Sequence, residues 1–301
     1  MNTRDFLREL AARTWTPAAR TWLERASAEA ARGVDDERFC VLFSEASRWV
    51  RPKVPLAASE AECARAEKLM PGFSPERWTA LEATRAALLF AHKDLERDEG
   101  ARAVDELFRY ADVGEHSALL KALPHLPGPE RFLVRAREGA RSNMRIAFEA
   151  IACDSPYARH WFDAIGWRQL AIKALFIEAP LWRVWGFDER VDAELARMAL
   201  DLADERRSAG RPINPETWMC LARFAGKRGL ESLERELATA GSRGRAGAVL
   251  GLARAGELER VRALAATEKD ELVRDAVSAA LAGRTDQTAF KILDAAAQGV
   301  R

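Results

Sequence analysis

The stretch SRGRAGAVLGLA at residues 242–253 recurs in related form as DELVRDAVSAAL at residues 270–281, and this repetition indicates how the chain folds. Arg245 of the first copy corresponds to Arg274 of the second, an offset of about 28 or 29 residues. Periods of about 20–50 residues are typical of solenoid proteins, in which each repeat buries its apolar face against the next. The repetition therefore predicts stacked pairs of short helices.

The rest of the chain has the same helical character. Ala, Leu, Arg and Glu dominate, whereas the alternating Val, Ile, Thr and Tyr runs that indicate strands are scarce. Thr16 before Pro17 predicts a helix start, and a second, long helix is expected from Ser74 to about Asp98. Arg85 interrupts the apolar stripe of that second helix, so we expect its face to be only partly buried. We predict an all-α, right-handed α-solenoid with HEAT-like helical repeats, irregular in its N-terminal half.

Charge and cysteine content exclude several functional classes. Lys and Arg number 47 against 46 Asp and Glu, so the net charge of +1 gives no overall attraction to nucleic acid. The four cysteines lie far apart in sequence, which predicts neither a zinc site nor a redox motif. The first residues, MNTRDFLREL, lack the apolar run of a secretory signal, and no stretch approaches the roughly 18 apolar residues of a membrane span. We expect a cytoplasmic protein.

The middle of the chain carries a more specific pattern. It contains, in order, SNMR at 142–145, FEAIA at 148–152, WRQ at 167–169, KALF at 173–176, DER at 188–190 and ELARM at 194–198. In this order and spacing the chain resembles the EboA family, most strongly from about Leu119 to Trp218. Arg168 and Ala203 depart from the residues expected at their positions, Asn and His. The resemblance predicts an N-terminal helical segment at 1–115, an EboA-like core at 116–228 and HEAT-like repeats at 229–301, in one continuous array.

The resemblance implies a role in metabolite traffic. EboA-like proteins are encoded in a bacterial gene cluster, beside a membrane prenyltransferase-like protein, that is associated with moving secondary-metabolite precursors toward the periplasm. It implies a non-enzymatic adaptor whose partners are proteins of the same pathway, the prenyltransferase-like protein among them, or a small hydrophobic metabolite. Such a partner would hold the protein peripherally at the inner membrane. The family supplies no catalytic residues to transfer.

Six residues of the EboA-like core are candidates for binding a ligand or a partner: Asn143, Arg145, Glu149, Trp167, Gln169 and Lys173. The first three lie at one helix start, where they form either a polar pocket or an ordinary intrahelical ion pair with a cap. The last three lie on a largely apolar helix. Lys173 is either buried, with a lowered pKa, or packs its aliphatic side chain on the helix surface and extends its ammonium group into water.

Motifs for catalysis and metal binding are incomplete. His160 and Asp163 lack a third ligand at helical spacing. The acidic groups at 35–37 and 201–205 lack the full aspartate spacing with which all-α enzymes hold magnesium on a diphosphate. Gly241, Gly244 and Gly247 follow no strand, and we interpret them as turn and close-packing glycines. We therefore expect no catalytic residue, no metal and no cofactor.

Two alternatives to the adaptor stay open. The first is an all-α enzyme that acts on an isoprenoid or aromatic precursor, with a deep pocket around Trp167 and Lys173. The second is a protein-only scaffold that assembles neighbouring enzymes and needs no small-ligand cavity. Five tryptophans of the core bear on this choice, because their rings either line a cavity or fill gaps between helices: Trp161, Trp167, Trp182, Trp185 and Trp218.

Overall fold

A computed structural model describes residues 2–298; residue 1 and residues 299–301, the end of the third predicted segment, lie outside the described range. Within that range the regular structure is helical, and the extended segments pair only in an isolated antiparallel bridge between Pro55 and Thr79. The prediction of an all-α protein is confirmed. Contacts divide the chain into two compact units, Met1–Asp163 and Ala164–Arg301. The three-segment division stays a prediction.

The first unit is built around one fully buried helix. The α-helices among its described residues are α1 Thr3–Ala12, α2 Pro17–Arg32, α3 Asp36–Trp49, α4 Glu60–Leu69, α5 Ala80–Phe90, α6 Asp98–Tyr110, α7 Val113–Ala122, α8 Leu133–Arg141, α9 Arg145–Ala152 and α10 Tyr157–Trp161. Every residue from 80 to 89 is buried, and α1, α2, α3 and α7 pack around α5. A helix buried on all sides is the expected position for a sequence as apolar as ALEATRAALLF.

Both ends of the helix predicted from Ser74 to Asp98 are wrong. The hydroxyl of Ser74 accepts a hydrogen bond from the Glu76 amide, but α5 begins only at Ala80 and ends at Phe90. Residues 75–78 form a turn, and the end of the segment is held extended because the Ala80 amide donates to the Val54 carbonyl at 2.7 Å and the Leu56 amide donates to the Trp78 carbonyl at 2.9 Å. Long-range backbone pairing thus overrides the local cap signal.

The expectation that Arg85 would leave its helix face partly exposed is also wrong. Arg85 is only 3% exposed. Its guanidinium Nη2 lies 3.0 Å from a Glu115 carboxylate oxygen, and its Nε donates to the Phe43 carbonyl. A charge enters a protein interior when a partner of opposite charge and hydrogen bonds replace its water, and Glu115 on α7 supplies both.

The second unit is arranged around α14. Its helices are α11 Ala164–Ile177, α12 Ala193–Ser208, α13 Gly226–Thr239, α14 Ser242–Arg254, α15 Leu258–Ala265, α16 Glu271–Leu281 and α17 Lys291–Gln298. A 3-10 helix, Pro215–Cys220, packs on α14 at Gly247, where a Cβ would lie 2.7 Å from the Pro215 carbonyl oxygen. The two related stretches of sequence are α14 and α16, which pack against each other, while α13 packs on α14 and α15 on α16.

Candidate functional site

Three of the six predicted site residues lie at the start of α9 in the first unit. Arg145 Nε donates to a Glu149 carboxylate oxygen at 2.5 Å, across one turn of the helix. Asn143 is exposed, and exposed Met144 and Ile146 flank the arginine. The geometry is that of an intrahelical ion pair on an accessible helix face.

The other three residues lie on α11 in the second unit and point in different directions. The Trp167 ring is buried, with its centroid 6.2 Å from that of Phe187 and the Arg190 guanidinium 4.6 Å above it. Gln169 is exposed, and the Lys173 ammonium lies 5.5 Å from the ring centroid of Phe176, which is 59% exposed. Indole and ammonium therefore do not converge on one site.

A pocket that the sequence did not reveal opens on the second unit, with a volume of about 760 Å³. Its wall is formed by the end of α12, the loop 210–215, the end of α13 and the start of α14. None of the six predicted residues lines it. Thirteen side chains or glycines do: Arg207, Gly210, Arg211, Pro212, Ile213, Pro215, Glu236, Thr239, Ala240, Gly241, Ser242, Arg243 and Gly244.

The loop beneath this pocket is stiff for local reasons. α12 ends as Gly210 adopts a left-handed conformation, with φ of +64°, which glycine enters without steric penalty. Pro212 and Pro215 restrict the residues that follow. Arg206 Nε donates to the Pro212 carbonyl at 2.6 Å, and Asn214 accepts from the Glu216 amide to open the 3-10 helix. The pocket wall is thereby preformed.

Four of the thirteen lining residues are charged. They are three arginines, Arg207, Arg211 and Arg243, and one acid, Glu236, which is 5% exposed and belongs to α13. Burial raises the pKa of Glu236, and the neighbouring Arg207 guanidinium opposes that rise from 3.8 Å. Arg207 is itself held by the Asp204 carboxylate at 2.9 Å and by the Ser232 hydroxyl. The lining therefore carries an excess of positive charge.

The three glycines at the start of α14, Gly241, Gly244 and Gly247, have different surroundings. Gly244 and Gly247 allow close packing, as predicted: a Cβ on Gly244 would lie 2.8 Å from a Glu236 carboxylate oxygen. Gly241 is different, because a Cβ there would meet nothing within 4 Å. Gly241 occupies the N-cap position of α14 and has no side chain to accept a hydrogen bond from the helix amides. The sequence GSRG at 241–244 therefore could have indicated a helix start without a side-chain cap.

Comparison with known proteins assigns the family. A family model described as metabolite traffic protein EboA matches residues 3–222. The chain belongs to the EboA family. The match includes the helices before Leu119, where the sequence resembled EboA proteins only weakly, and it ends before α13. Neither the curated proteins nor the solved structures contain a match to this EboA-family chain.

Three of the acidic residues considered for magnesium binding have partners in this EboA-family chain: Asp201, Asp204 and Asp35. Asp201 accepts from Arg197 at 2.5 Å, and one Arg228 nitrogen lies within 2.8 Å of both Asp201 and Asp204. Asp35 caps α3 by accepting from the Arg38 amide. Across the described residues, no three His, Cys, Asp or Glu side chains are grouped so as to hold a metal ion. No helix within 2–298 is long and apolar enough to cross a membrane.

Proposed function

We propose that this chain is a non-enzymatic binding protein of a metabolite-traffic system, and that it holds a small molecule in the open pocket of its second unit. The observation that carries the proposal is the pocket itself, of about 760 Å³, within the range of ordinary small-molecule sites. The family description, metabolite traffic, supports a carrier or adaptor role.

The lining of the pocket favours binding over chemistry. It contains neither histidine nor cysteine. Its two hydroxyl groups are engaged, because Thr239 donates to the Arg235 carbonyl and Ser242 to the Asp270 carboxylate. Nucleophilic catalysis requires a nucleophile beside a general base, and no such pair lines this pocket. The enzyme alternative predicted a deep pocket around Trp167 and Lys173; the Trp167 ring is instead buried against Phe187 and Arg190, and neither residue lines the open pocket.

The finer features of the role belong to the same proposal. Partners would be proteins of the same pathway, such as a membrane prenyltransferase-like protein, and they would place the chain at the inner membrane. The exposed residues Asn143, Arg145 and Gln169 are proposed to contact such partners. The helix pairs α13–α14 and α15–α16 are proposed to be HEAT-like repeats of a short solenoid, which is supported by the packing of α14 on α16.

Affinity capture from the native host, with mass spectrometry of bound small molecules, tests the proposal. Gly241→Phe fills the mouth of the pocket from a position that has open space before it. Ala238→Phe, at an exposed position of α13 outside the lining, is the matched control. We expect the chain and the control to retain a metabolite, unchanged on incubation, and Gly241→Phe to lose it at an unaltered melting temperature. Conversion of the metabolite would indicate the enzyme alternative, and capture of partners with no small molecule the protein-only scaffold.

A further inference from the structure

A buried acid in the pocket lacks hydrogen-bond donors. The Glu236 carboxylate accepts no hydrogen bond from the described residues, although the residue is only 5% exposed. Its nearest cation, Arg207 Nη2, lies 3.8 Å away, beyond hydrogen-bond distance. The Glu236 oxygens keep some contact with solvent, because they are not among the fully buried side-chain atoms that lack a hydrogen-bond partner. The carboxyl oxygens of Glu236 are therefore open to a donor that arrives with a ligand.

The helix beside this acid presents unpaired amides. The amides of residues 242–244 have no acceptor among the described residues, because the first intrahelical bond of α14 runs from the Arg245 amide to the Gly241 carbonyl. Gly241 offers no capping side chain, and the Ser242 hydroxyl donates to Asp270 instead. A helix start with free N–H groups attracts anions, through these donors and through the helix dipole.

Two arginines reinforce the positive end of α14. Arg211 and Arg243 line the pocket, and neither has a carboxylate within ion-pair distance among the described residues. Arg243 Nε donates to the Leu293 carbonyl at 3.2 Å, which anchors that side chain beside the helix start. Arg207 is the cation that faces Glu236. Arg211 and Arg243 thus supply charge that the protein itself does not neutralise.

We propose that the pocket binds a small organic acid, a phosphate ester or a carboxylate, that carries a hydroxyl or ammonium donor near its anionic group. The anion would be held by the start of α14 with Arg211 and Arg243, and the donor would be accepted by Glu236. This ligand class rests on the proposed binding function and specifies its ligand as polar, where the sequence resemblance implied a hydrophobic metabolite.

Four small probes separate the parts of this recognition. Glycerol 3-phosphate and glycerate each combine an anion with hydroxyl donors, whereas inorganic phosphate supplies only the anion and glycerol only the donors. In ligand-observed NMR titrations of the full chain, we expect one of the two acids to bind more tightly than both inorganic phosphate and glycerol. The tighter acid identifies whether phosphate or carboxylate is preferred.

The decisive variant is Gly241→Asp. Gly241 has an extended backbone, φ −74° and ψ 178°, and open space at its Cβ, so an aspartate fits there and caps α14. Its carboxylate would occupy the amides that the ligand needs. We expect this variant to keep or raise the unfolding midpoint while the preferred acid binds about tenfold more weakly or worse.

Two arginine variants complete the test. Arg211→Gln removes a pocket charge and should weaken binding of the same acid by about tenfold. Arg235→Gln, at an exposed position of α13 outside the lining, should leave binding unchanged.

The outcomes separate this inference from the proposed function. Equal affinity of both acids for the chain and for Gly241→Asp would overturn the ligand class, even if a native metabolite were retained intact. Selective binding of one acid together with chemical conversion of the native metabolite would support the ligand class and overturn the non-enzymatic function.

Discussion

Two buried carboxylates, Glu82 in the first unit and Glu216 in the second, are held in opposite ways. Glu82 in the first unit is 7% exposed, and its pKa is lowered although burial alone would raise it. Lys121 Nζ lies 2.8 Å from the Oε2 atom of Glu82. The Thr79 amide donates to the same oxygen, and the Ser117 hydroxyl donates to Oε1. Glu216 in the second unit is 5% exposed, and burial, with Asp294 nearby, raises its pKa to about 8.

The comparison shows that the presence of a cationic partner, rather than the depth of burial, sets the charge state of these two carboxyl groups. Glu216 accepts hydrogen bonds from the backbone amides of Leu181 and Trp182, but no cation lies within ion-pair distance of it among the described residues. Arg243 acts on Glu216 only weakly and does not reverse the effect of burial. Glu82 of the first unit is therefore a buried ion, whereas Glu216 of the second unit is a buried acid that keeps its proton at neutral pH.

The largest expected effect comes from breaking the ion pair of the first unit. Arg85→Met leaves the Glu115 carboxylate buried without its cation, which we expect to lower the free energy of unfolding by about 3–5 kcal/mol. Urea denaturation at pH 7 measures the loss. Arg85→Met combined with Glu115→Gln removes the orphaned charge and keeps the amide oxygen that caps the Asp112 amide. We expect the double variant to recover at least half of the loss, and a purely additive double variant would show that charge pairing is not the cause.

Titrating the second unit gives the next largest effect. The pKa of Glu216 is higher in the folded chain, about 8, than the ordinary value of 4.5, so the folded state binds the extra proton between these values. Stability from this group is complete below pH 4.5 and is lost as the pH rises toward 8. Glu216→Gln should therefore gain stability relative to the parent over that window, by a few kcal/mol, on the order of 1.4 kcal/mol for each pKa unit. Urea midpoints of both proteins from pH 5 to pH 9 measure the difference.

Glu82→Gln is the matched control for that titration. Because the folded-state pKa of Glu82 is lowered, its contribution is present above its ordinary value of 4.5 and is lost as the pH falls through the folded value. Its replacement should destabilise the chain at neutral pH, with no gain at higher pH. A pH-independent difference for Glu216→Gln, or the same pH profile for both variants, would refute the contrast between the units.

These contrasts show where sequence reasoning succeeds and where it stops. Local signals predicted the start of α2, where Thr16 caps the helix before Pro17, but not the start of α5. Glu115 lies 30 residues from Arg85, so the burial of Arg85 depends on a contact that no local pattern encodes. The open pocket joins residues 207–215 to 236–244 and depends on tertiary packing in the same way.

The candidate site was predicted only in its local part. Arg145 and Glu149, four residues apart, do form the expected ion pair. The deep pocket predicted around Trp167 and Lys173 depended on which face of their helix turns inward, and the sequence pattern alone does not encode that. The interpretation of Gly241, Gly244 and Gly247 as turn and close-packing glycines does not say which glycine has which role, and only the tertiary structure shows that open space lies in front of Gly241.

The smallest expected effect concerns that exposed pair on α9. Arg145 is more than half exposed, so water and salt screen its attraction to Glu149, and a double-mutant cycle of Arg145→Ala and Glu149→Ala should give a coupling of only about 0.3–0.5 kcal/mol. The coupling should shrink further in 1 M salt, where the screening length is roughly 3 Å. A coupling as large as that of the buried Arg85 pair would mean that α9 is covered in solution. Loss of partner binding in Arg145→Ala, at this small cost in stability, would instead support its predicted contact with a partner.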